Sequence, residues 1–138
     1  MTEQDKQLLL KDLCVRLPYN VFVYIEPTKW CKAFNLDDNY DGTENIHTLT
    51  TCTSTGECNI DNGYLTSVED VKPYLRLPVS MTEEETKKYH NLCNVDDNDW
   101  EIFSDTWESF DYLNSIHIDY RGLIKKGLAL EAPEGMYK

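Results

Sequence analysis

Three side chains suited to acid–base chemistry lie close together near the end of the chain: His117, Asp119 and Arg121. An imidazole can act as a general base, a carboxylate can orient it, and a guanidinium can hold an anionic substrate, so the group would suit acid–base or phosphoryl chemistry. The sequence contains no nucleophile motif and no glycine-rich phosphate loop. We therefore favour a structural role, in which Asp119 caps a short helix and Arg121 pairs with a carboxylate.

Two possible zinc ligands, His90 and Cys93, are three residues apart and would lie on one face of a helix. A zinc site needs two more ligands, for which His117, Cys52 or Cys58 would have to come close in the fold. Cys52 and Cys58 are positioned to face each other across a hairpin, but their spacing is wrong for a zinc knuckle. We predict a buried cysteine and a surface histidine rather than a metal site.

The segment 37–42 matches the opening of a calcium loop, because acidic and amide side chains alternate before a glycine. The match then fails at position eight, which is Glu44, and at position twelve, which is Thr48 instead of a bidentate glutamate. Strands are predicted on both sides instead of helices. A polar hairpin loop is the simpler interpretation, and we predict no bound metal and no cofactor.

The most distinctive surface feature is an acidic run that contains two tryptophans, Trp100 and Trp107. The candidate interaction face consists of Asp96, Asp97, Asp99, Trp100, Glu101, Asp105 and Glu108. If these residues share one face, they would suit a basic partner surface that accepts an aromatic ring. The alternative is a solvated loop followed by acidic residues that stabilise the start of a helix.

Composition limits the possible partners. The chain has 13 basic and 25 acidic residues and a net charge of −12, which disfavours direct binding to a phosphate backbone. High solubility is the simplest meaning of this charge, and mimicry of nucleic acid is the alternative. The five cysteines are an odd number, and we find no signal peptide and no apolar run that could cross a membrane. We expect a cytoplasmic protein of a bacterial host cell, with reduced thiols and no membrane contact; its oligomeric state stays open.

The first half of the chain predicts one helix and then strands. Leucines recur at helical spacing between Glu3 and Leu17, and Pro18 ends the helix. Strands are predicted over Asn20 to Glu26, through Trp30 and Phe34, and over Asn45 to Thr53. Turns follow at residues 54–56 and 61–63, so the middle of the chain is predicted to be an antiparallel meander of four to five short strands.

The second half predicts three to four helices. A short helix around residues 68–75 would break near Pro73, and Thr82 with Glu85 forms a capping box for a helix to about Cys93. A third helix from Asp105 to about Ile116 would bury Trp107, and a last one would span residues 119–126. Segregated strands and helices favour a single α+β domain over residues 1–138.

Three segments of the sequence resemble a known group of proteins. They are residues 110–133 (FDYLNSIHIDYRGLIKKGLALEAP), residues 9–19 (LLKDLCVRLPY), and residues 71–76 (VKPYLR) leading into 80–85 (SMTEEE). These segments resemble small uncharacterised proteins of gut anaerobes and their phages and other mobile elements. The resemblance implies a dispensable accessory protein, whose ends form the scaffold and whose central strands vary. It implies no activity and no catalytic residue.

Two functional hypotheses remain. The first is a non-enzymatic interaction protein that binds a basic protein surface through the acidic face. The alternative is a small enzyme or metal-dependent module that uses His117, Asp119 and Arg121, or His90 and Cys93. A cleft in which those polar residues converge would favour the alternative, whereas an exposed apolar and acidic patch would favour the first hypothesis.

Overall fold

The computed structural model describes residues 1–26, 46–61, 63–96 and 99–137. Within these ranges the helices are α1 (Glu3–Arg16), α2 (Glu83–Leu92) and α3 (Trp107–Ser115). The strands are β1 (Phe22–Ile25), β2 (Ile46–Cys52), β3 (Glu57–Ile60), β4 (Tyr64–Ser67), β5 (Val71–Leu75), β6 (Asn94–Asp96), β7 (Asp99–Ser104) and β8 (Leu130–Glu131). Helices and strands are mixed in one α+β arrangement, which confirms the predicted fold class.

The main sheet has six strands in the order β4-β3-β2-β1-β5-β8, and β6 pairs with β7 in a separate hairpin. Strands β1 to β4 form the predicted antiparallel meander. Strand β5 returns to the other side of β1 in antiparallel register, and β8 lies parallel to β5. The predicted strand through Trp30 and Phe34 lies outside the described residues.

The segment that we predicted to be a short helix broken near Pro73 divides into two parts: Val68–Asp70 form a single 3-10 turn that follows Ser67, and Val71–Leu75 form strand β5. The residues of β5 alternate between buried and half-buried, with Val71, Pro73 and Leu75 directed inward. The Leu75 carbonyl accepts the Ala132 N–H, so it points to the side of the sheet edge where β8 lies. Every second residue of a strand points the same way, so the backbone of Pro73 also faces that side. Since β8 pairs only from Tyr74 onward, the missing N–H of Pro73 removes no bond from the ladder.

The last predicted helix, over residues 119–126, is also wrong, because this segment forms turns. Gly122, in the middle of this segment, has a φ of 74°, a left-handed value that an α-helix does not contain. The described residues therefore hold two helices after the meander instead of three or four. The helix opened by the Thr82 capping box is present as predicted, with the Glu85 N–H bonded to the Thr82 hydroxyl at 3.1 Å.

The core lies between α1 and the inner face of the sheet. Helix α1 begins at a capping box between Thr2 and Asp5, and it buries one leucine face against the strands. The buried apolar residues of this core cluster are Leu9, Leu10, Leu13, Val21, Val23, Ile25, Leu49, Cys58, Ile60, Val68, Val71, Leu75, Leu123, Leu128 and Ala129. Leu123, Leu128 and Ala129 belong to this cluster, so the C-terminal segment closes the same core that α1 opens.

A cluster of buried charges joins α1 to the C-terminal segment. Asp12 and Arg16 are both completely buried, and the Arg16 guanidinium donates to both Asp12 carboxylate oxygens at 2.8 and 3.1 Å. Arg16 also donates to the Ile118 carbonyl at 2.7 Å, and Arg121 donates to Asp12 at 3.1 Å. One carboxylate therefore balances two guanidinium groups from segments more than a hundred residues apart.

We expect Asp12→Asn to lower the free energy of unfolding by about 3 kcal/mol or more, since removing one member of a buried ion pair leaves an uncompensated charge. The matched control is Asp111→Asn, which changes an exposed carboxylate on α3 and should shift stability by about 0.5 kcal/mol at most. Urea denaturation followed by circular dichroism measures both variants. Equal stabilities of the two variants would contradict the assigned role of Asp12.

Candidate functional site

The start of helix α3 presents a tryptophan to solvent. Thr106 caps the helix, accepting the Ser109 N–H at 3.1 Å, and its hydroxyl donates to the Leu92 carbonyl at 2.6 Å, which ties α3 to the end of α2. Trp107 is the first residue of the helix and is 89% exposed. Our prediction that Trp107 lies in the core is therefore wrong.

The position of the helix cap explains this error. With Thr106 as the cap, the inward face of α3 carries Ser109, Leu113 and Asn114, all of which are buried. Phe110 lies at the border, with its ring tilted against Tyr120 at a centroid distance of 5.2 Å. Their spacing suggested that Trp107, Phe110 and Leu113 share one inward face of this helix, but only Leu113 is buried.

We define the Trp107 face as Trp107, Glu108, Phe110 and Asp111 on the first two turns of α3, where Phe110 and Asp111 follow Trp107 at neighbour spacing and Asp111 is also a neighbour of Glu108. All four residues are exposed, and residues three or four apart on a helix are neighbours. The face therefore combines an exposed indole and a half-covered phenyl ring with two carboxylates.

Asp105 has a structural role next to this face. Its carboxylate accepts bonds from the Tyr89 hydroxyl and from the Ser109 hydroxyl, the latter at 3.1 Å. The carboxylate also lies 3.9 Å from the Cys93 sulfur. Asp105 thus fixes the junction of α2 and α3. Burial raises the pKa of Tyr89 above its ordinary value, and the hydrogen bond to Asp105 raises it further.

The remaining residues of the predicted interaction face fall in or near the separate hairpin. Asp96 lies in β6, and β7 contains Asp99, Trp100 and Glu101. Asp97 lies outside the described residues. Glu108 is exposed on α3, as predicted for a member of the face.

The other notable site is a cleft of about 420 Å³ whose wall includes His117. His117 follows α3 and has a left-handed φ of 63°, a conformation that usually selects glycine. Its N–H bonds the Asn114 carbonyl at 3.1 Å, and the next N–H, of Ile118, bonds the Leu113 carbonyl at 2.9 Å. This pattern is the Schellman motif, in which His117 stands at the position typical of glycine.

The imidazole of His117 is 6% exposed and stacks on the Tyr137 ring at a centroid distance of 3.6 Å. Its Nδ1 atom is buried and has no hydrogen-bond partner among the described residues. Burial, together with the charges of Arg16 and Arg76, lowers the pKa of His117 from 6.5 to about 4. The ring is therefore neutral at pH 7 and is held by packing rather than by an ion pair.

The polar groups around the cleft are bonded to one another. Arg76 holds Glu85 in a two-bond pair at 2.8 and 2.9 Å and also donates to the Ile116 and Ser80 carbonyls. The guanidinium lowers the pKa of Glu85 to about 2. A second cleft, of about 450 Å³, shares Arg76, Glu85 and Tyr137 with the first.

Tyr137 is fixed by the backbone of two strands. Its hydroxyl accepts the Phe22 N–H at 3.0 Å and donates to the Tyr74 carbonyl at 2.7 Å. Burial raises the pKa of this phenol to about 12, so it stays protonated. Beside His117, Arg76 and Glu85 are therefore bonded to each other, and Tyr137 is bonded to the backbone of β1 and β5.

The structure does not bring Asp119 and Arg121 to His117. The Asp119 carboxylate accepts the backbone N–H groups of Leu123 and Ile124, both at 2.9 Å, so it caps the following turns. Arg121 pairs with Asp12. The predicted pairing of Arg121 with a carboxylate is present, whereas Asp119 bonds the N–H groups of a turn instead of capping the predicted helix. The three groups do not form a shared reaction centre.

The possible metal ligands are also separated. His90 is exposed and lies against Tyr89, whereas Cys93 is buried and directed toward Asp105. In the described part of the chain, no three histidine, cysteine or acidic side chains are grouped as a metal site would require. The predicted hairpin loop at 37–42 lies outside the described residues.

Comparisons with known proteins do not extend these findings. No protein-family model, no curated protein and no solved structure matches the chain. Among the described helices, none is both long and apolar enough to span a membrane.

Sequence reasoning did not identify Arg76, Glu85 and Tyr137 as neighbours of His117. Glu85 was recognised only as a capping residue, which it is, with its carboxylate accepting the Thr82 N–H at 2.9 Å. No local pattern links Arg76 to Tyr137, because their segments meet through a tertiary contact, the bond from the Tyr137 hydroxyl to the Tyr74 carbonyl in β5. The one available signal was a histidine directly after a helix, where glycine is usual.

The lowered pKa of His117 predicts a specific loss of stability in mild acid. Below pH 6.5 the unfolded chain gains a proton on His117, whereas the folded chain does not gain it until about pH 4. The stabilising contribution of the neutral His117 should therefore be fully present above pH 6.5. The free energy of unfolding should fall by about 3 kcal/mol between pH 6.5 and 4. Glu85, whose pKa is lowered to about 2, adds its own loss only below about pH 4.5.

Urea unfolding between pH 7 and 4.5 tests this expectation. His117→Asn should flatten the slope in this range, since asparagine tolerates the left-handed backbone and does not titrate. The control His90→Asn changes an exposed histidine and should keep the wild-type slope. An unchanged slope in His117→Asn would show that another group causes the acid sensitivity.

The exposure of Trp107 predicts that Trp107→Ala shifts the free energy of unfolding by about 0.5 kcal/mol or less, because the substitution opens no cavity. Leu113→Ala, on the buried face of the same helix, should cost about 2 kcal/mol or more. Thermal and urea denaturation of both variants measures the difference. A strong destabilisation by Trp107→Ala would return this ring to the core.

Proposed function

We propose that this protein is a non-enzymatic interaction module that binds a basic surface of another protein through the Trp107 face. The observation that carries the proposal is the 89% exposure of Trp107 beside Glu108 and Asp111. A large aromatic ring that is left in water stabilises nothing in the monomer. Buried in a partner's pocket, it supplies the type of contact that dominates protein interfaces.

Charge identifies the chemistry of the partner. The chain carries a net charge of −12, and the indole is flanked by carboxylates on its own helix. Opposite potentials accelerate and orient association, so the expected partner offers lysine or arginine side chains around an apolar pocket. Phosphate backbones are repelled by the same charge.

The geometry of the His117 cleft gives less support to an enzyme. Arg76 and Glu85 neutralise each other, the Tyr137 hydroxyl is bonded to two backbone groups, and the groups expected to assist His117 point elsewhere. A general base must reach the proton that it removes, whereas Nδ1 of His117 is buried. The alternative, a small enzyme or metal-dependent module, therefore has fewer observations in its favour.

The resemblance described above supports the setting of the proposal. An accessory protein of a bacterial or phage mobile element would act on a component of the host or of the phage. The matched segment 110–133 covers the later part of helix α3 and the residues that follow it, so Phe110 and Asp111 would lie on the part of the chain that carries the resemblance, whereas Trp107 and Glu108 come just before it.

Affinity capture followed by reconstitution tests the proposal. The immobilised chain is exposed to a lysate of a gut anaerobe, and a captured protein counts only if Trp107→Ala fails to retain it. With that protein purified, calorimetry should show binding at least about tenfold weaker for Trp107→Ala, as for an aromatic hot spot. Glu108→Lys should weaken binding and reduce its salt dependence.

The matched control is Val79→Ala. Val79 is also 89% exposed but lies on the turn Pro78–Ser80, outside the Trp107 face. This variant should bind like the wild type. The proposal fails if every captured protein binds the Trp107→Ala variant as well as the wild type, or if the affinity does not depend on salt.

A further inference from the structure

Two cysteines face each other across the hairpin of β2 and β3. Cys52 and Cys58 are directly opposite in the antiparallel register, and a turn closes the hairpin, with the Gly56 N–H bonded to the Thr53 carbonyl at 3.0 Å. The next pair toward this turn, Thr53 and Glu57, is joined by a backbone bond of 2.9 Å. Since the two kinds of pairs alternate along a ladder, Cys52 and Cys58 form a non-hydrogen-bonded pair, the kind that brings side chains closest.

The two sulfur atoms are already in contact. Their separation is 3.2 Å, and a thiol hydrogen bond joins them. Cα atoms of a non-hydrogen-bonded pair are about 4.5 Å apart, and Cβ atoms about 4.5–5.5 Å. Such Cα distances fall in the range of about 4.4–6.8 Å that disulfides occupy. Bond formation therefore needs only a small approach of the two side chains.

The environments of the two thiols differ. Cys58 is completely buried in the core, whereas Cys52 is half-buried at its edge. The hydrogen bond from Cys52 lowers the pKa of Cys58 and raises that of Cys52. A third thiol, Cys14, is exposed on α1, and partial burial together with the neighbouring Cys52 raises its pKa. A reagent in solution therefore meets Cys52 before Cys58.

We propose that Cys52 and Cys58 are a reversible dithiol–disulfide pair that exchanges with low-molecular-weight disulfides such as oxidised glutathione. This site is independent of the Trp107 face. It concerns a pair of thiols whose contact the reduced fold already provides.

The exchange has two steps. The pair loses one proton to solvent, chiefly from Cys58, and the remaining proton then passes from Cys52 to Cys58 across the 3.2 Å contact. The Cys52 thiolate, which is the more accessible sulfur, attacks the outer disulfide, forming a mixed disulfide and releasing one glutathione thiolate. Cys58 then gives up its proton and attacks the Cys52 sulfur, releasing the second glutathione. One S–S bond is broken and one is formed, two electrons pass from the protein to the reagent, and both leaving thiolates take up protons.

Redox titration of the full chain tests the proposal. The protein is equilibrated with mixtures of reduced and oxidised glutathione, free thiols are blocked with N-ethylmaleimide, and the mass is measured. We expect two fewer blocked thiols in the oxidised form. Cleavage after glutamate separates the two cysteines at Glu57, so their peptides should remain joined until a reductant is added.

Variants assign the pair. Cys52→Ser, at a half-buried position, should abolish the intrachain disulfide, and Cys14→Ser should leave it unchanged. The wild-type measurement does not depend on the stability of any variant. The proposal is overturned if all cysteines remain blockable at every glutathione ratio, or if the joined peptides contain Cys14 instead of Cys58.

Discussion

One buried carboxylate determines how the two ends of this chain meet. Asp12 lies on the inner face of α1, where it accepts hydrogen bonds from Arg16 on the same helix and from Arg121 in the C-terminal segment. Charges in a protein interior are tolerated only when they are paired and fully bonded. Separating Asp12 from Arg16 and Arg121 would leave buried charges unpaired. This energetic cost favours one position of residues 118–121 against α1 more strongly than leucine packing alone would.

The properties of His117 follow from this docking. The Arg16 side chain that pairs with Asp12 also holds the Ile118 carbonyl, and Arg76 at the end of β5 exchanges backbone bonds with the segment 117–119. His117 is thereby fixed between two cations, in a left-handed conformation and against Tyr137. Its low pKa is a consequence of that position. A perturbed pKa often marks a catalytic group, but structural ion pairs also cause one, and here the structural explanation is sufficient.

Local signals in the sequence predicted much of the fold. The capping box at Thr82, the leucine spacing of α1 and the turns of the meander depend on neighbours within a few residues, and the structure contains them. Signals failed where tertiary contacts decide. Pro73 is a residue type that ends helices, but here it lies in β5. The sheet tolerates its missing N–H because β8 pairs with β5 only from Tyr74 onward. Trp107 fits an apolar stripe, but the cap at Thr106 turns it outward.

The candidate sites show the same division. Glu108 could be assigned to the surface from its place in the first turn of a helix. The contacts of Arg76 with Glu85 and Ile116, and of Tyr137 with Phe22, join segments far apart in sequence. No periodicity encodes such contacts. The hairpin that opposes Cys52 and Cys58 is local and could be anticipated, whereas the approach of Cys14 depends on how α1 lies on the sheet.

The distribution of the cations strengthens the case for a basic partner. The chain has three arginines, and all three are held by carboxylates of the protein itself, two of them by Asp12 and one by Glu85. Arginine suits such sites because its planar guanidinium forms two parallel bonds to a carboxylate. These pairs remove guanidinium groups from the outer surface, so lysines are the cations left to oppose its carboxylates. Arg16 is completely buried, and Arg76 and Arg121 are largely covered, so the described surface presents chiefly lysines beside its carboxylates, and the exposed indole of Trp107 belongs to that surface.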